Sequence, residues 1–289
     1  MAYKGNRIGP AKFEKGQIKM MLAILPLILF MLLPIIFIIC HAFKPMEELF
    51  ACPPEFFVHR PTMQNFTSLM KASRTSNIPI SRYVFNSLII TIATVIMSVI
   101  FSTMAAFSLS KLKYKGRDTL MQINQIALMF VPVAVMIPRF IVVTTLHLTD
   151  TYWAHILPIV AYPVALFLIK QFVDTVPNAL IEAAYMDGAT EFRVYVSVIL
   201  PLIKPAIATG GIMIFQQVWI NMETSNYYVN DEGLKNLAFY MNTIANLNNT
   251  VAGQGMAAAA SLIMFLPQLL VFIILQNSVM NTMATSGIK

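Results

Sequence analysis

The chain has 289 residues, of which 57% are hydrophobic and 11% charged, with a formal net charge of +7. Soluble domains carry about 25% charged residues, so an ordinary soluble fold is excluded. Uncharged runs near the ~20 residues that cross a hydrocarbon core place the chain among all-α, multi-span membrane proteins. Its bases are scattered in short segments between apolar blocks, the pattern of cytoplasmic loops rather than of a nucleic-acid surface.

Taken in order, Lys4, Arg7, Lys12, Lys15 and Lys19 form a basic lead ahead of an apolar run from Met21 to Cys40. The run exceeds the ~7–15 residues of a signal core, and no small-x-small cleavage site follows. It reads as an uncleaved first span, about 19–42, with Pro26 and Pro34 inside. Cys40 and Cys52 fit no zinc spacing and are too few for a disulfide framework, so both are expected to be free. The polar stretch 43–82 predicts short helices on the outer face. A second span, about 83–109, precedes a basic loop with Lys111, Lys113, Lys115 and Arg117, turning at Gly116. The third span, about 119–138, extends past Arg139 with breaks expected at Pro132 and Pro138. The fourth, about 151–169, holds Pro158 and Pro163. The fifth, about 206–221, is short, and the sixth spans about 256–277.

Residues 1–82 are thus a cytoplasmic tail, a first span and an outer loop. Residues 83–289 form a core of five spans that includes a polar loop, 174–205. Six spans put both termini on one side. With that side cytoplasmic, Lys4 to Lys19, Lys111 to Arg117, Lys170, Arg193, Lys204 and Lys289 fall inside. Lys44, Arg60, Lys71, Arg74, Arg82, Arg139 and Lys235 fall outside, spread over more residues. The bias assigns both termini and the polar loop to the cytoplasm of a cell membrane.

Sequence motifs of catalysis are missing. There is no phosphate-cradling G-x-x-x-x-G-K-[ST], no H-E-x-x-H and no G-x-S-x-G. His41, His59, His147 and His155 are isolated, with His41 and His155 expected at the interface. No enzyme activity and no metal are expected. The spans lack a clear mid-span charge, which gives an ion-coupled carrier no seat for titration. Asn86, Gln122 and Gln268 are uncharged polar residues at membrane depth, and Asn124, Gln125, Gln216, Gln217 and Asn221 are others. Each can hydrogen-bond a neighbouring helix, for about 0.6–2 kcal/mol, or line a path for a polar solute. Gln216, Gln217, Trp219 and Asn221, with Asn124 and Gln125, are the candidate pathway residues. Amides beside an indole suit hydroxyl-rich solutes.

The loop 174–205 carries Asp174, Glu182, Asp187, Glu191, Arg193 and Lys204 between two apolar blocks. Asp174 or Thr175 is placed to cap a helix whose first turn accepts Pro177. Leu180, Ala184 and Gly188 recur at i, i+4 and i+8, a slim face that another backbone can approach. Gly188 also marks a bend or an end of the helix.

Glu182-Ala183-Ala184-x-x-x-Gly188, followed by Val198-x-Leu200-Pro201, resembles the signature loop of binding-protein-dependent ABC-importer permeases. Val198 stands where that family usually has Ile. Asp187-Gly188-Ala189, Leu200-Pro201-x-x-x-Pro205, Trp219-x-Asn221 and the terminal Ser286-Gly287-Ile288-Lys289 are similar to the carbohydrate-uptake branch that includes the maltose-transporter permeases. The likeness covers about 82–289. It implies a type I importer permease fold of six transmembrane helices with a cytoplasmic coupling helix, in a prokaryotic inner membrane. It implies a homologous second permease, ABC ATPase subunits that bind the ATP, and an external solute-binding protein that delivers a sugar. This chain would hold no cofactor. Glu182, Ala183, Ala184, Asp187 and Gly188, with Leu200 and Pro201, would form the ATPase-docking element. The same architecture importing another solute, or a membrane anchor or sensory subunit that moves none, is the alternative.

Overall fold

A computed structural model describes residues 15–53, 55–74, 78–247 and 251–286. The start of the basic lead and the terminal 287–289 lie outside the described residues. In chain order the helices are α1 (Lys15–Phe43), α2 (Met46–Leu49), α3 (Gln64–Arg74), α4 (Ile80–Lys111), α5 (Arg117–Met129), α6 (Met136–Thr145), α7 (Tyr152–Val160) and α8 (Pro163–Thr175). There follow α9 (Asn178–Met186), α10 (Glu191–Val194), a π turn over Tyr195–Ile199, α11 (Leu200–Leu202), α12 (Lys204–Trp219), α13 (Glu223–Tyr227), α14 (Leu237–Leu247) and α15 (Val251–Ser286).

Among the described residues three helices are long and apolar enough to cross a membrane: α1, α4 and α15. Three further crossings arise if each bent pair is one span. α5 and α6 meet at 110°, α7 and α8 at 44°, and the 191–202 and 204–227 helices at 81°. The breaks have local causes. Pro132 opens a single 3-10 turn before α6, and Pro163 starts α8, where its missing N–H is harmless. Pro26 and Pro34, by contrast, leave α1 continuous.

The sequence places Arg139 in an outer loop, but it lies inside α6. The reason is that Pro138 falls in the first turn of α6, where proline starts a helix instead of ending one.

α1 exposes nearly all of its apolar surface, as a lipid-facing helix does, and approaches the rest of the chain through α3 and α15. α4 is the internal post. Its buried positions include Asn86, Ser87, Thr91, Thr94, Ser98, Ser102 and Thr103, small or polar side chains that let α8 and α12 pack closely. α15 approaches α3 at Gly255, where a Cβ would come within 2.5 Å of Asn65 Oδ1. Asn65 is already committed, since its amide donates to the carbonyls of Ala42 at 3.0 Å and Lys44 at 2.8 Å.

Candidate docking segment and central cavity

The polar loop is built differently from its sequence reading. Asp174 and Thr175 do not cap a following helix but form the last turn of α8. Asp174 pairs with Lys170 at 2.7 Å and accepts from Ser110. Pro177 occupies the cap position of α9 with no side-chain hydrogen bond. The physical reason is that a proline restricts the residue before it to extended backbone, so the turn falls at Val176 and α9 starts after it. Lys111, at the end of α4, then holds the junction. Its Nζ donates to the Val176 carbonyl at 2.6 Å and to Asn178 Oδ1 at 3.0 Å. The sequence reading treated Lys111 only as loop charge and missed this brace.

α9 ends in a defined motif. The Ala189 N–H donates to the Ala184 carbonyl and the Gly188 N–H to the Tyr185 carbonyl, each at 3.0 Å, with Gly188 at φ 79°. This is a Schellman ending, which needs a left-handed residue and favours glycine. A Cβ on Gly188 would meet nothing within 4 Å. Gly188 therefore terminates the helix, and the slim face predicted from Leu180, Ala184 and Gly188 does not form as one surface. Ile181 is buried, and Ala184 packs against the cluster that Ile181 shares with Phe107, Val173, Val194 and Tyr195.

The other side of α9 is open. Glu182, Ala183, Asp187 and Gly188 are exposed, and so are Tyr185 and Met186, the latter to 88%. Phe192, in the next short helix, is 69% exposed. That helix is capped by Thr190, whose hydroxyl accepts from the Arg193 N–H. Leu200 is partly buried against the cluster that holds Ile181, while Pro201 is exposed. Tyr195 locks the cluster to α4 through a 2.8 Å hydrogen bond with Thr103. The docking candidates thus form an exposed apolar-and-acidic patch rooted in a core shared by α4, α8 and the π turn.

The pathway candidates separate into three groups. Trp219 is buried and donates its indole N–H to the Met264 carbonyl at 3.0 Å. Asn124 donates to the Pro163 carbonyl at 3.4 Å, supplying a backbone group at the start of α8. Gln125 and Gln216 are exposed and do not line the central cavity. Gln217 and Asn221 do line it, although Asn221 Oδ1 also caps α13 by accepting from the Thr224 N–H at 3.1 Å. This cavity, of about 510 Å³, lies where the α5–α6 and α7–α8 breaks meet the end of α12. Phe130 comes from the first break, Ala161 and Tyr162 from the second, and Arg139, Gln217, Asn221 and Glu223 complete its polar lining. Arg139 was missed as a candidate, although a signal existed: it is the one charged residue between Asp118 and Asp150.

Away from the candidate docking segment, His155 is fully buried within the protein. Its Nδ1 lies 2.7 Å from Thr224 Oγ1 and its Nε2 lies 3.2 Å from the Leu234 carbonyl. Asn86 donates to the Gly233 and Lys235 carbonyls, both at 2.9 Å, and accepts from the Tyr152 hydroxyl at 2.8 Å.

Comparisons with known proteins bear on the whole arrangement. Residues 98–280 match the family model described as binding-protein-dependent transport system inner membrane component. The arabinooligosaccharides transport system permease protein AraQ of Bacillus subtilis is 27% identical over 96% of this chain and 98% of its own length. Protein LplC of the same organism is 30% identical, with 89% of each chain covered. Among solved structures, a bacterial ABC transporter involved in the import of the acidic polysaccharide alginate aligns with a TM-score of 0.74. Its identity is 20%, and 92% of this chain and 98% of that chain are covered.

Proposed function

This chain belongs to the family of binding-protein-dependent transport system inner membrane components, and from that premise we propose that it is the membrane-spanning subunit of an ATP-driven sugar or oligosaccharide importer. The sugar class is supported by relatives that include the arabinooligosaccharide permease. In this reading both termini and α9 face the cytoplasm. The chain itself catalyses no reaction and holds no nucleotide. ATP is bound by a separate ATPase subunit, and a second, homologous permease completes the pathway.

The observation that carries the reading is the pairing of an exposed α9 face with a buried root. Glu182, Ala183, Met186 and Asp187 are free for a partner, while Ile181 and Ala184 tie the same helix into the core of α4 and α8. A push on α9 then reaches the ends of two spans through close-packed side chains, which transmit displacement because interiors have little slack. Leu200 joins the same core, so the push also reaches the break before α12. A membrane anchor would have no need of such a rooted, exposed lever.

Gly188→Arg tests this reading against Gly188→Ala. Both strain a left-handed position, by about 1–2 kcal/mol, but only Arg adds bulk and charge to the docking face. Both variants are expected to insert normally. Only the Arg variant is expected to lose ATPase co-purification and binding-protein-stimulated ATP hydrolysis in proteoliposomes. Normal coupling in the Arg variant would remove α9 as the docking element.

A further inference from the structure

We infer that the cavity between the α5–α6 and α7–α8 breaks binds an acidic sugar residue, with Arg139 taking its carboxylate. The inference rests on the importer reading and names the substrate class. Arg139 lies within one of the bent pairs, in α6. A guanidinium in a membrane-embedded segment is expensive and is retained where it faces a cavity or a pathway. This one lines the cavity, and none of the ion pairs among the described residues includes it. Its protein partner is the phenol of Tyr228. A guanidinium has five N–H donors in a planar fork, so a single phenol leaves most of them for a ligand.

The remaining lining defines what else the ligand carries. Gln217 and Asn221 supply amide donors and acceptors, and Glu223 supplies acceptors for hydroxyl hydrogens. Phe130 and Tyr162 offer flat apolar faces of the kind that sugar rings stack on. The volume of about 510 Å³ falls in the ~300–1,000 Å³ range of small-molecule sites. A neutral sugar would be served by amides alone. The half-buried Arg139 forms none of the ion pairs among the described residues, although Glu223 lines the same cavity, and its planar fork matches a carboxylate in two parallel hydrogen bonds. Glu223 sets a limit in the other direction, since its charge disfavours ligands crowded with anions. One carboxylate per sugar ring among several hydroxyls fits the set. The site lies where helices are broken, which frees polar backbone toward a cavity at membrane depth.

The test uses the assembled importer in lipid nanodiscs without its external binding protein, so that the selectivity of that protein is bypassed. The probes are short uronate oligosaccharides and their carboxyl-reduced, neutral counterparts, with binding read by saturation-transfer NMR. Wild type is expected to bind the uronates about tenfold or more tightly than the reduced sugars. Arg139→Gln is expected to erase that difference while leaving ATPase co-purification and thermal stability unchanged, and Arg139→Lys to restore part of it. Equal binding of the two sugar sets to wild type overturns the inference, as does a preference that survives in Arg139→Gln. The comparison in wild type needs no variant. If neutral sugars alone stimulate ATP hydrolysis by the complete system, the acidic specificity falls and the importer reading stands. If sugars of neither kind do so, both fall.

Discussion

The two ends of the helical assembly are held by different balances of apolar and polar contacts. At one end, α9 is rooted by apolar contacts of Ile181 and Ala184, with Lys111 bracing Asn178 at its start, and leaves Glu182 exposed. At the other, the segment 228–236 adds to an apolar seat of Tyr228 and Val229 on Val143 and Ala154 a set of hydrogen bonds from polar side chains in distant parts of the chain. Asp150 accepts from the N–H groups of Asn230 and Asp231, Asn86 donates to Gly233 and Lys235, and Ser87 accepts from Leu237. His155 bridges Thr224 and the Leu234 carbonyl. One end keeps a surface exposed, which the proposed reading gives to a partner, and the other closes its loops on itself. An apolar root can tolerate displacement as a unit, whereas a hydrogen-bonded clamp depends on each distance. That difference fits a moving lever at one end and a fixed frame at the other.

The largest effect that would expose this contrast is at Asn86. Asn86→Leu strips partners from the Gly233 and Lys235 carbonyls and the Tyr152 hydroxyl. With about 1–3 kcal/mol for each buried polar group left unpaired, the loss is on the order of 3 kcal/mol or more. A clear fall in thermal midpoint in detergent is expected, with ATPase co-purification kept in the protein that remains folded. A neutral result would mean that the clamp adds nothing to the frame.

Met186→Glu probes the opposite end and should invert the phenotype. Met186 is 88% exposed in the free chain, so stability should stay within about 0.5 kcal/mol. If a partner covers Met186, losing that burial removes about 1.5–3 kcal/mol, a weakening of association by roughly tenfold to a hundredfold. Affinity of the purified ATPase for the permease is the readout, and an unchanged affinity would mean that α9 docks through other side chains.

The smallest effect is one of pH. The backbone N–H groups of Asp231 and Asn230 hold the Asp150 carboxyl below the ordinary carboxylate range. A depressed carboxyl stabilises the fold above its unfolded value and loses that contribution as pH falls through its folded value. The clamp should therefore be indifferent to pH from about 7 to 5 and loosen only below about pH 4. Amide exchange at Asn230 and Asp231 reports this directly, and Asp150→Asn should abolish the acid limb. Loosening that began near neutral pH would point to a different group.

Much of the fold was legible in the chain because a bilayer imposes a strong code. Apolar runs near 20 residues, interrupted by short basic loops, allow few other readings. The expected fifth span, about 206–221, lies close to α12, and the expected sixth lies within α15. The candidate docking segment was legible as a spacing, but the role of its glycine was not. A period of four puts Leu180, Ala184 and Gly188 on one helical face only if the helix continues, and the left-handed turn at Gly188 ends it first. The amides were harder still. Trp219 and Asn221 form a polar cluster in sequence, yet Trp219 serves the Met264 carbonyl and Asn221 caps α13. Which buried polar group finds which partner depends on helices far apart in the chain.

The sequence by itself determined that this protein is a helical membrane component, where its apolar segments lie, and that a small-residue motif sits in a polar loop between them. Those properties are local, written in hydropathy over one or two helical turns and in residue spacing. Only the tertiary structure decided which face of α9 is open, that Arg139 lines a cavity instead of an outer loop, and that Asn86 and His155 are internal ties. These depend on helix breaks and on hydrogen bonds between residues as many as 151 positions apart, and such pairings exist only once the helices have packed.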